Sequence, residues 1–221
     1  NKKIAKNISF FINIIIVILT TIAVLMMFFN GDGSLSSKGF LAFKYFTVDS
    51  NVLMAISSLI FIIFILIKRD EKYSFFLSII KMVSTIAVTL TFLTVFFFLS
   101  FIYEITFLLS GANLFMHLII PIISIVDYLF FDGLDYLKLK YNFLSVAPCT
   151  LYGIIYTINV LIHNGYGDVD YDWYMFAKNG MPLGILVFSV IIILVFLVSL
   201  LMNLLKRKIQ KVIIKNPAMQ D

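Results

Sequence analysis

Six stretches of about twenty apolar residues dominate this chain, and each is closed off by a short polar or glycine-bearing break. ISFFINIIIVILTTIAVLMMFF, from Ile8 to Phe29, is the first. A hydrocarbon layer of about 30 Å is crossed by roughly 20 helical residues, and inside it every backbone N–H and C=O must be paired within the segment. Runs of this length therefore read as membrane-spanning helices. The six are expected at 8–29, 40–67, 74–103, 114–131, 143–163 and 182–205. None alternates in polarity over ten-residue segments, so a β-barrel is set aside. The fold expected is all-α: one polytopic six-helix bundle over residues 1–205, followed by a basic tail at 206–221. With 62% hydrophobic and 13% charged residues among 221, the chain has no stretch left for a separate soluble domain.

Charge gives an orientation. Fourteen of the 17 basic residues fall at one set of helix ends, including Lys2, Lys3, Lys6, Lys68, Arg69, Lys72, Lys81, Lys138, Lys140 and the tail from Lys206. The positive-inside rule then puts both termini in the cytoplasm. The opposite ends hold Asp32, Glu104, Asp168, Asp170 and Asp172, an acidic outer rim. The net charge of +5 reads as topology and attraction to anionic lipid, and no nucleic-acid partner is expected. The first apolar run is longer than the core of a secretory signal and lacks a small-residue cleavage site, so it reads as a retained helix. Heavy use of Ile, Phe, Lys and Asn suggests an AT-rich bacterial genome, hence a bacterial cell membrane.

Ionisable and hydrogen-bonding residues inside a span need a reason, because they are expensive there. On the second span, at about 100° per residue, Thr47, Ser50, Asn51, Met54 and Ser58 make one stripe, with Thr47 about two turns in from Phe40. Asp49 points some 160° away, toward the rim or a neighbouring helix. The fourth span carries His117 near its first turn, with Ser124 and Tyr128 on the same side and Asp127 about 80° off. Pro121 deprives the His117 carbonyl of its usual backbone donor. On the fifth span, Tyr152 and Tyr156 point the same way. Cys149 has no partner and reads as packing.

A hydroxyl near an imidazole is a candidate nucleophile and base, since the ring can accept the proton as attack begins. Thr47 and His117 are the expected pair, at similar depth near the outer leaflet. Ser50, Asn51, Ser124, Asp127, Tyr152 and Tyr156 are candidates for support or substrate binding. A membrane threonine ordinarily bonds the carbonyl four residues earlier, and a membrane tyrosine ordinarily anchors at the interface. With two histidines and one cysteine, a metal site is not expected, and neither is a cofactor. The acids of GYGDVDYDWY read as a solvated loop.

FKYFTVDSNVLM, ANLFMHLIIPIISIVDYLFFD and APCTLYGIIYTINVLIHNGYGDVDYDWYMF, in that order, resemble the signature regions of bacterial six-helix relatives of the androgen-induced-gene and androgen-dependent TFPI-regulating proteins. The likeness runs over about residues 40–176. It implies an intramembrane threonine hydrolase with Thr47 and His117 in the catalytic positions and Trp173 in the loop after the fifth helix. Eukaryotic members cleave fatty acid esters of hydroxy fatty acids, so the partner implied is a lipid ester. This chain departs from the pattern after the fifth helix, with His163-Asn164-Gly165 and Trp173-Tyr174-Met175. Two other readings of the same polar seam remain. It could hold a lipid head group or small solute without catalysis, with Asp127 and His117 as a proton relay, or it could dock a partner helix.

Overall fold

The computed structural model describes residues 2–30, 38–67, 74–101 and 103–215. Most of the NGDGSLSSKG loop with Asp32, the KRDEK segment with Lys68, Arg69 and Lys72, and the tail beyond Lys215 lie outside the described residues. Those described form helices and turns without a strand, and six helices are long and apolar enough to cross a membrane. α1 spans Lys2–Asn30, α2 Phe46–Leu66 and α3 Ser74–Phe97; α4 is the short helix Ile105–Leu108. α5 covers Ala112–Phe131, α6 Ala147–His163 and α7 Met181–Lys215.

The interior is polar where a soluble protein would be oily. Ser9, Asn13, Asn51, Ser57, Ser58, Thr85 and Ser124 are buried, while Phe11, Ile63, Ile155, Ile193 and Leu201 are exposed. Against lipid, apolar burial drives little helix association, so small and hydrogen-bonding residues hold the bundle from within. α3 is the central element, with half of its span buried against 22% for α7. At mid-bundle, Ile16, Met54, Val88 and Ile120 meet, one each from α1, α2, α3 and α5. α6 and α7 come close at Gly153, where an added Cβ would meet the Phe188 ring at 2.9 Å.

Several boundaries differ from the sequence expectation, each for a local reason. The second span was expected from residue 40, but Gly39–Lys44 is a 3-10 helix and extended backbone at Tyr45 separates it from α2. Thr47 is therefore the second residue of α2, not two turns inside it. The fifth span begins as a 3-10 helix, Leu139–Val146, and turns α-helical at Ala147 and Pro148, where a proline needs no intrahelical donor. α6 ends at Asn164, whose φ of 49° is left-handed, as helix ends often require. α7 runs to Lys215, well past the expected boundary at residue 205.

α5 is two α segments interleaved with two π turns. Phe115–Ile119 is the first, and the N–H of Ile120 reaches the Phe115 carbonyl. Pro121 comes next, with no N–H to offer the His117 carbonyl, so the ladder widens just before it. Asp127–Phe131 is the second, closed by the Asp132 N–H on the Asp127 carbonyl at 2.9 Å.

Candidate functional site

The stripe on α2 faces inward. Ser50, Asn51, Met54 and Ser58 are buried, and Thr47 is half-buried. On α5, His117, Ser124, Asp127 and Tyr128 are buried as well. Asn51 links the two helices: its amide donates to the Thr47 carbonyl at 2.7 Å and to the Met116 carbonyl at 3.1 Å. Ser50 Oγ also bonds the Thr47 carbonyl at 3.1 Å and lies 2.9 Å from Thr91 Oγ1 on α3. The first turn of α2 is thereby fixed beside the π turn that carries His117.

α4 orients the histidine. Nδ1 of His117 lies 2.7 Å from the Leu108 carbonyl at the end of that helix. A carbonyl only accepts, so Nδ1 carries the proton and the basic lone pair of the neutral ring sits on Nε2. Thr47 and His117, both described, share no hydrogen bond with each other.

The loop after α6 clamps the entrance of α2. Trp173 Nε1 donates to the Tyr152 hydroxyl at 2.9 Å, and that hydroxyl donates to the Lys44 carbonyl at 2.6 Å. The Phe46 N–H, left without a helical partner by the extended backbone at Tyr45, donates to the Tyr174 hydroxyl at 3.1 Å. Burial pushes the Tyr174 phenol up to about 12, so it accepts that N–H as a neutral hydroxyl. The expectation of an acidic outer rim fails at Asp172. Its side chain is buried and accepts from Gly167 N at 2.9 Å, from Ala177 N at 3.1 Å and from the Tyr156 hydroxyl. Tyr156 thus braces the loop after α6.

Asp127 is not a partner of His117. It pairs with Lys81 on α3 at 2.8 Å, with neither side chain exposed, and accepts the Asn13 amide from α1 at 2.9 Å. Lys81 also donates to Asn13 Oδ1. Lys81 is therefore not one of the basic residues at a helix end, as its charge suggested. The sequence carried a signal: Ser78, Lys81, Ser84 and Thr85 lie at helical spacing on one polar face of α3. A second pair was missed for the same reason. Lys206, expected to open a solvated tail, is buried on α7 and meets Asp132 at 2.6 Å, with Tyr128 4.1 Å beneath its ammonium. The second π turn joins the two pairs by stacking Asp127 and Asp132, five residues apart, on one side of α5.

The buried oxygens do not all find partners. Asp127 Oδ1, Ser124 Oγ, Ser57 Oγ and Thr85 Oγ1 accept and donate no hydrogen bond among the described residues. No cluster of three or more metal-ligating His, Cys, Asp or Glu side chains occurs among them.

Fold and site together define the class: an all-helical chain with six helices able to cross a membrane and a polar, ion-paired interior. Set against known protein families, curated proteins and solved structures, the chain matches none.

Proposed function

We propose that the protein is an integral membrane hydrolase of a lipid ester, with Thr47 as nucleophile and His117 as general base near the outer leaflet. One observation carries the reading: the Asn51 amide ties the Thr47 turn to the His117 turn while Leu108 fixes the imidazole tautomer. Thr47 Oγ1 would attack the acyl carbon as its proton passes to His117 Nε2. The ester C–O bond then breaks, and the leaving alcohol takes that proton. Water, deprotonated by the same nitrogen, attacks the acyl carbon; the bond to Thr47 Oγ1 breaks, Oγ1 takes the proton back from Nε2, and the acid is released. Thr47 and His117 share no hydrogen bond, and catalytic contacts of this type commonly tighten when substrate binds. The resemblance of the three sequence regions to the threonine hydrolases points the same way.

Purified protein in detergent, treated with a fluorophosphonate probe and an aryl ester, tests the reading. Labelling and turnover should be present in the wild type and in Thr47→Ser, and absent from Thr47→Ala and His117→Ala. Activity unchanged in both alanine variants overturns it.

A second reading rests on the Lys81–Asp127–Asn13 triad, since ion pairs buried at membrane depth often belong to solute or proton pathways. Solute uptake into vesicles that survives Thr47→Ala and is lost in Asp127→Asn would favour it.

A further inference from the structure

A cleft of about 180 Å³ opens between α2 and α6. Asp49, Ser50 and Leu53 form one wall, and Leu151, Tyr152 and Ile155 form the other. Leu151 and Ile155 are 61% and 58% exposed on the apolar surface of a spanning helix, so its mouth faces hydrocarbon. The Thr47 and His117 side chains do not line the cleft.

The polar groups of the cleft are spent, with one exception. The Tyr152 hydroxyl is taken by Lys44 and Trp173, and the Ser50 hydroxyl by Thr47 and Thr91. Asp49 makes no ion pair and no side-chain hydrogen bond among the described residues, where the carboxylates in ion pairs are Asp127 and Asp132. Lys44, five residues away, holds its ammonium over the rings of Tyr45 and Trp173 instead. The first turn of α2 offers Asp49 the partial positive charge of a helix start, which compensates a carboxylate only in part. A carboxylate bordering hydrocarbon calls for a cation.

We propose that this cleft binds the head group of a membrane lipid bearing a primary ammonium, which donates to the Asp49 carboxylate. A primary ammonium is compact and brings three donors. The Phe46 and Tyr152 rings, 5.3 Å apart and both lining the cleft, add attraction for a cation. The volume is below that of pockets that engulf a whole ligand, so it admits a head group while the acyl chains lie outside along Leu151 and Ile155.

The test is native mass spectrometry of the full chain released from nanodiscs holding equal phosphatidylethanolamine, phosphatidylglycerol and diacylglycerol. The wild type and Thr47→Ala should retain phosphatidylethanolamine about tenfold over the other two. Asp49→Asn should bring the three to parity. Ile155→Trp, which fills the mouth and leaves the carboxylate in place, should lower phosphatidylethanolamine retention on its own and serves if Asp49→Asn does not fold. Equal retention of the three lipids by the wild type overturns the proposal. So does a preference for phosphatidylglycerol or diacylglycerol, or a phosphatidylethanolamine preference that persists in Asp49→Asn or Ile155→Trp.

Discussion

Lys81 and Asp127 hold each other at 2.8 Å in the interior of the bundle, with neither side chain exposed. They come from different helices, α3 and α5, and are bridged by Asn13 from a third. The pair replaces hydration that neither charge can obtain, and each residue is tolerable only because the other is present.

Breaking one half should cost far more than removing both. Lys81→Met or Asp127→Leu alone is expected to destabilise by about 3–5 kcal/mol, because one buried charge is left alone, while the double variant should recover most of that loss. Reversible unfolding in mixed micelles measures the cycle. Additive single effects would show that the pair is not coupled.

Asn51 joins the Thr47 and Met116 carbonyls, so its loss should misplace the nucleophile without unfolding the chain. Asn51→Leu keeps the volume and removes both donors. On the hydrolase reading, turnover of an aryl ester should fall about 100-fold, the scale of an ångström-level misplacement. Melting temperature should fall only slightly.

Pro121 shapes the π turn that presents His117. Pro121→Ala supplies the missing N–H to the His117 carbonyl and lets the turn relax toward regular α-helix. Thermal stability should hold or rise while fluorophosphonate labelling falls. Unchanged labelling would separate the π turn from the activity.

The Asp172 carboxylate gathers three donors from the loop after α6. Asp172→Ala leaves them without an acceptor, at about 1–3 kcal/mol for each buried one. Trypsin cleavage at Lys178 should become faster than in the wild type, and Tyr156→Phe should show a smaller increase. Band intensity on a time course of limited proteolysis reads both.

The six spans were legible because length and hydropathy alone decide what can lie in lipid. The inward stripe of Ser50, Asn51, Met54 and Ser58 was legible too, since helical period fixes which residues share a face. The start of α2 was not: Gly39–Lys44 is as apolar as the helix beyond it, and the break at Tyr45 is held by Tyr152 and Tyr174 from the far end of the chain. The charges were misread for a similar reason. Lys81, Lys206 and Asp172 resemble residues at watery helix ends until their partners are known.

The sequence by itself determined that this chain is helical, how many apolar helices it has, and which faces of α2 and α5 turn away from lipid, because these follow from local period and transfer free energy. The tertiary structure alone decided which buried groups meet. Asp127 went to Lys81 and not to His117, Tyr156 went to Asp172, and Asn51 brought the Thr47 turn to the His117 turn. A buried polar group takes whichever partner packing brings within about 3 Å, and no local pattern encodes that choice.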